Sequence, residues 1–396
     1  MTSCQTGRIG VLEMRINKVS LEGDVDEFGG RALAVSTTSD IGTFRTPNRA
    51  LTSTEFQYKA KLPFPPALNN DISEIVHQLY GKKWTKFMST NGSFYNGKKN
   101  LDSFAAKMAY TIKRYYPQIA SETHISDEAI HQIIMLQRAG ELDFISMPSL
   151  PSLNHMFERT AGKFIEEVLS ENEEPLVYLD MGLDPQIFQK RFSALLEFVH
   201  TGQIHSIGLI YKSWQRNIRN YEYLWKNRSS EVFLQMSEIP RRTSGTPKLT
   251  STMHLLQKFG IDSFSVRLVT NPGSKKGREE KDKLKSFQIK NRFDSTPLVF
   301  RPFREWEKHD TSLGCDCPIC NGKNATEFID TYYGEHESYS GATLNAANNL
   351  HEYYRSADEF ALSRGYILDG ELKEYFKNKD GLKSSDIPIS KTIFDF

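Results

Sequence analysis

The chain has 396 residues, 38% of them apolar and 12% aromatic, with a formal net charge of +1. That apolar content supplies a core and excludes wholesale disorder, and the length accommodates one closed α/β barrel of about 250 residues with additions. The near-neutral total conceals local clusters of basic residues.

Taken in order, the first 60 residues, including GTFRTPNRALTSTEF, read as β-hairpin material that caps a barrel. Short apolar runs then alternate with helix-period segments. WTKFMST (84–90), ELDFISM (141–147), PLVYLDM (175–181), HSIGLIY (205–211), EVFLQMS (231–237) and DSFSVRLV (262–269) read as strands. Residues 101–115, 127–139, 154–171, 185–200, 216–227 and 249–259 carry the helical period. Near-continuous apolar strands separated by helices are the pattern of parallel strands buried on both faces. Six such units predict an α/β fold, a (β/α)8 TIM-type barrel over 61–309; the glycine fingerprint of an open dinucleotide-binding sheet is missing. A zinc-binding insert with its closing helix comes next over 310–366, then a tail over 367–396.

No run of eighteen apolar residues exists and MTSCQTGRIG lacks an apolar signal core, so a soluble, cytoplasmic protein without membrane contact is expected. Three of the four cysteines fall within six residues, in GCDCPIC, leaving Cys4 alone and pointing to a reducing compartment. Cys315, Cys317 and Cys320 are too close to bridge one another without strain, but a tight turn can aim all three sulfurs at one soft cation. Gly314, Asp316, Pro318 and Gly322 supply that turn. Tetrahedral Zn2+ needs a fourth ligand. His351 is the best candidate, His336 the serious rival and His309 a third.

In a barrel, chemistry sits at the C-terminal tips of the strands. That rule nominates Thr90 to Phe94, Met147 to Ser149, Asp180 to Asp184, Tyr211 to Ser213, Ser237 to Arg242 and Arg267 to Thr270. Asp180 ends VYLD and is the first choice for a pocket carboxylate; the helix-cap role suits Asp184, before Pro185, better. Glu238 ends FLQMSE and is a second pocket acid. Asp262 opens its strand, where a structural role outweighs a catalytic one. Phe94 and Tyr95 suit either base stacking or core filling. Two basic stretches, Lys275 and Lys276 with the lysines after them, and Lys212 to Arg228 with its aromatics, read as solvated surface or as nucleic-acid contacts. Arg241 and Arg242 suit a phosphate.

Several segments together resemble the tRNA-guanine transglycosylases, which exchange guanine for a 7-deazaguanine base. They are GTFRTPNRALTST, STNGSFY (89–95), KFGIDSFSV (258–266), FQIKNRFDSTPLVFRPF with GCDCPIC, and LNAANNLHEYY. The resemblance covers roughly residues 30–365 and implies a zinc-containing (β/α)8 transferase in which the zinc is structural. It places Thr90 where the family has its acid/base aspartate and Ser265 where it has the nucleophilic one. It also places Asn348 at the family's zinc histidine, one helical turn before His351. Asp180, Met181 and Gly182 fall where the family reads the base. Departures of this size are most like the DNA-modifying DpdA branch of phages and bacterial gene clusters. That implies DNA as substrate ahead of tRNA, with Thr90, Ser265 and Glu238 lining the pocket and Asp180 and Asp262 as candidate catalytic acids. A homodimer or partner subunit is implied too. The alternative is a catalytically silent nucleic-acid-binding paralogue.

Overall fold

The computed structural model describes residues 14–25, 29–39, 41–62, 71–79, 82–89, 91–108, 111–119, 125–150, 156–243, 249–267, 291–308, 315–334 and 341–383. Three antiparallel strands come first: β1 (Ile16–Val25), β2 (Gly30–Thr37) and β3 (Thr43–Arg45). Their buried Val19, Leu33, Val35 and Phe44 pack on Ile72, Ile112, Phe144, Leu176 and Phe233, which lie early in the strands of the next sheet. This small sheet therefore plugs the N-terminal end of the barrel. The cap stops at Arg45, because residues 48–59 already belong to the barrel.

The barrel strands are β4 (Asn48–Arg49), β5 (Leu51–Thr52), β6 (Ile72–Leu79), β7 (Ile112–Ile119), β8 (Phe144–Met147), β9 (Glu174–Asp180), β10 (Ser206–Ile210), β11 (Phe233–Ile239) and β12 (Ser263–Val266). They pair side by side in the order β4-β12-β11-β10-β9-β8-β7-β6-β5, every pair parallel. β4 and β5 are two halves of one strand, separated only by Ala50, whose N–H donates to Phe264 O (2.8 Å). The first half pairs with β12 and the second with β6, so among the described residues eight strands close on themselves. The fold is a (β/α)8 barrel.

Outer helices follow the strands: α1 (Ser53–Lys59), α2 (Lys82–Ser89), α3 (Asn91–Lys107), α4 (Asp127–Ala139), α5 (Phe157–Ser170), α6 (Pro185–His200), α7 (Ile218–Asn227) and α8 (Thr252–Leu256). Local chemistry fixes their starts. Asp184 accepts from Gln186 N (2.9 Å) with Pro185 in the first turn of α6, and Thr52 and Glu55 form a reciprocal capping box on α1. The main core lies between sheet and helices, where Val177, Leu179, Ile207, Leu209, Leu234 and Met236 meet Phe164, Phe188, Phe192 and Leu195. Burying each such side chain stabilises by roughly 1.5–3 kcal/mol.

Two expectations fail here. WTKFMST is helix α2, since Trp84, Phe87 and Met88 recur at the helical i, i+3, i+4 spacing. The segment 101–115 ends its helix at Lys107, and strand β7 begins at Ile112. The second and third barrel strands are thus ISEIVHQL and IKRYYPQI, whose Glu74 and Arg114 face the barrel interior, while Lys113 turns the other way to Asp143 (3.1 Å).

After β12 the chain leaves the barrel to build a lobe. The hairpin β13 (Asn291–Asp294) and β14 (Val299–Pro302), the helix Phe303–Lys308, a cysteine turn and the helix Ala325–Ile329 make it up. The long helix Gly341–Leu368 then returns as the outer helix that follows the last barrel strand, packing on α1, β4 and the cap sheet. Its Phe360 stacks on Phe264 of β12 (4.8 Å, 2°). The expected tail is structured to residue 383: Leu372, Tyr375 and Leu382 are buried in the main core. No helix among the described residues is long and apolar enough to cross a membrane.

Candidate metal centre and barrel mouth

Residues 315–323 wind tightly. Cys320 N and Asn321 N both donate to Cys317 O, and Gly322 N donates to Cys315 O (3.0 Å). Asn321 and Gly322 hold positive φ of 46° and 73°, a conformation that asparagine and glycine tolerate best. The turn brings Cys315, Cys317 and Cys320 against His351 of the long helix, all four buried, with their ligand atoms within 4.8 Å of one another. His351 Nδ1 lies 3.5, 3.5 and 3.1 Å from the three sulfurs, and Cys317 Sγ is 3.4 Å from Cys320 Sγ. A tetrahedral ion with metal–sulfur bonds of about 2.3 Å needs ligand atoms about 3.5–3.8 Å apart, so the set fits a soft divalent metal.

The surroundings prepare the ligands. His351 Nε2 bonds Phe293 O (2.9 Å), which places its proton there and leaves Nδ1 as the donor to a metal. Burial, reinforced by Arg292, pulls the imidazole down to about 4, so it is neutral at physiological pH. Asn348, one helical turn earlier, instead donates to Asn291 O (3.1 Å). His309 and His336 lie outside the described residues. Four protein ligands close the coordination sphere, which suits a structural ion rather than a water-activating one.

The barrel interior is polar at mid-height. Glu74 of β6, with no exposed surface, pairs with Arg114 Nε of β7 (2.7 Å) and accepts from Ser237 Oγ of β11 (2.5 Å) and from Ser265 Oγ of β12. Arg114 also donates to Gln235 Oε1 (2.5 Å). Next to Ser237 comes Glu238, which holds φ at +63° where the β11–β12 register shifts between Met236 and Ile239. A non-glycine residue there carries about 1–3 kcal/mol of strain, and a bulge re-aims its side chain.

Glu238 accepts from Gln118 Nε2 at the end of β7. Burial pushes its carboxyl up from the ordinary range; Lys212 and Arg267 pull it back, and Glu74 and Asp180 push further. Asp180 ends β9, half-buried, with Lys212 Nζ 3.5 Å away and Gly182 N donating to it (2.7 Å). Tyr116 feels both acids and is held well above its ordinary value, chiefly by burial, so its phenol keeps its proton. The C-terminal mouth therefore gathers Asp180, Glu238, Lys212, Gln118 and Arg267, with Tyr116 buried in the barrel interior within their field.

Asp180 and Glu238 stand where the strand-tip rule put them. Asp262 does not: it opens β12 at the capped end, buried, taking Arg31 Nε (2.9 Å), Arg31 Nη2 (2.5 Å) and Leu234 N (2.7 Å). It ties the cap to the barrel and has no place at the mouth. Ser265 is inside the packed barrel rather than on a pocket wall, and its partner is the Glu74 carboxylate. Arg241 is not a free phosphate ligand; it binds Glu352 of the long helix and lies 3.9 Å from Glu55. Arg242 is exposed. In the basic stretch, Lys212, Arg216, Arg219 and Lys226 reach solvent, whereas Trp214 and Tyr221 are core. Thr90, Lys275 and Lys276 lie outside the described residues, as do the side chains of Phe94 and Tyr95. Glu74 and Gln118 escape the sequence reading because their strands do.

No family model matches this chain, and no curated protein matches it. Among solved structures, the YdjI aldolase from Escherichia coli K12 is similar at 12% identity with a TM-score of 0.36, over 81% of this chain and 93% of that one. A likeness that low bears on no activity.

Proposed function

We propose that the chain is a transglycosylase that exchanges guanine for a 7-deazaguanine base in nucleic acid, DNA ahead of tRNA, with Zn2+ as the structural metal. The reading rests chiefly on the two mouth carboxylates in unlike surroundings, on a closed barrel that also bears a Cys-x-Cys-x2-Cys…His lobe. A carboxyl whose proton affinity burial raises, beside a second carboxylate, is what acid/base chemistry at a glycosidic carbon requires.

Glu238 is the acid. As the bond from ribose to purine breaks, the purine takes the bonding pair and the Glu238 proton. Asp180, held by Lys212 and the Gly182 N–H, faces the developing positive charge on the sugar. The incoming base then bonds to the same carbon and returns its proton to Glu238. Gln118 is left to hold Glu238. A base inside a duplex must first be flipped out, a few kcal/mol that the exposed Lys212, Arg216 and Arg242 help offset at the backbone.

The test is incubation of the purified protein with labelled guanine and either duplex DNA or tRNA. Label enters DNA, and Asp180→Asn lowers the rate by about 100-fold without lowering the melting temperature. Full activity in that variant removes Asp180 from the chemistry. Incorporation into neither nucleic acid supports the second reading, a silent nucleic-acid-binding paralogue, which the burial of Ser265 at the family's nucleophile position favours.

A further inference from the structure

Arg292, on β13 of the lobe hairpin, is 1% exposed although it carries a full charge. Its described partners are Cys320 Sγ, reached by Nη2 at 2.7 Å, and Asn348 Oδ1 at 3.4 Å from Nη1. The guanidinium lies 4.6 Å from the Phe328 ring centroid and 5.7 Å from that of Phe303. None of these partners is a carboxylate, and the Asp294 carboxylate, which feels Arg292, is itself paired with Arg301 Nε (3.2 Å). A buried cation without a compensating anion costs several kcal/mol, so its counter-charge must be close by.

The charge arithmetic of the centre supplies it. Three thiolates and a neutral imidazole around one divalent cation leave one surplus negative charge, within reach of one guanidinium. We propose that Arg292 is the counter-cation of the Cys315–Cys317–Cys320–His351 centre. It neutralises that surplus, engages the Cys320 lone pair and so slows loss of the metal. The two rings hold the guanidinium plane in place, and Asn348 orients it. This role concerns the metal centre alone and stands whether or not the chain transfers a base.

Two variants of the full-length, zinc-loaded protein separate charge from packing. Arg292→Gln keeps a hydrogen-bond donor and loses the charge; Arg292→Lys keeps the charge and loses the planar stack. The readout is the rate at which zinc passes to an excess of chromogenic chelator at pH 7.5, with alkylation of each cysteine followed by mass spectrometry. Arg292→Gln releases metal about 10–100-fold faster than wild type, with Cys320 alkylated first, while Arg292→Lys stays within a few-fold of wild type. Release from Arg292→Gln at the wild-type rate overturns the proposal, and so does Arg292→Lys releasing as fast as Arg292→Gln. If Arg292→Gln fails to fold, Arg292→Lys decides alone: release within a few-fold supports the counter-charge, and release 10-fold faster or more refutes it.

Discussion

Glu238 combines a left-handed backbone with a half-buried carboxyl, and both features have measurable consequences. Its folded pKa lies above the unfolded value. Between the two, the native protein keeps a proton that the unfolded chain has released, so stability falls as pH rises through that window. Above it the native state carries a partly buried charge. Glu238→Gln removes that charge, so the variant melts higher than wild type at pH 8 while losing activity, and the gap closes toward pH 4. A variant melting lower than wild type at pH 8 contradicts the placement of Glu238. Neutralising Asp262 has the opposite effect on stability. Asp262→Asn leaves Arg31 as a buried, uncompensated cation and destabilises by about 3–5 kcal/mol in denaturant titration. Unfolding at the wild-type midpoint would show that the cap does not depend on this pair. At this scale the sequence is readable where chemistry is concentrated. Three cysteines in six residues announce a metal, and an aspartate ending an apolar run announces a strand tip. Glu74 and Gln118 are hidden because a polar residue in a strand looks the same whether it faces water or a barrel interior.

Among elements, β9, β10 and β11 are legible because both of their faces are apolar or small, with tight polar ends. β6 and β7 are not, since Glu74, Arg114 and Gln118 find their partners across the barrel rather than in solvent. One close approach tests that interior packing. Tyr178 of β9 turns its ring into the barrel over Gly208 of β10, and a Cβ there would sit 2.5–2.8 Å from ring atoms. The ring is fully buried, stacked obliquely on Tyr116 at 4.9 Å, and has no room to withdraw. Gly208→Ala therefore destabilises by about 1–3 kcal/mol through overpacking, and circular-dichroism melts read the loss. An unchanged melting temperature would mean that the interior is looser than these distances imply. Helix α2 shows the converse error. Aromatic residues favour strands on average, but their spacing decides the element when one face alone is buried.

For the molecule as a whole, the metal lobe and the barrel are one mechanical unit. His351 of the metal site lies on the same helix whose next residue, Glu352, binds Arg241 just beyond β11 and lies 3.8 Å from Arg49 of β4. Arg49 in turn pairs with Glu55 (2.5 Å) and sits 4.9 Å over Tyr353. A metal that fixes the helix thereby fixes the chain on either side of the mouth. The barrel and its insert can be foreseen from the order of apolar runs and cysteines; the burial of this ion network cannot, since its four members come from three distant segments. The most direct measurement is metal content by elemental analysis of the purified protein, with melting before and after a strong chelator. One zinc per chain is expected, and its removal lowers the melting temperature and exposes all three lobe cysteines to alkylation together. A protein that carries no metal, or that melts identically after chelation with Cys315, Cys317 and Cys320 still protected, contradicts the account.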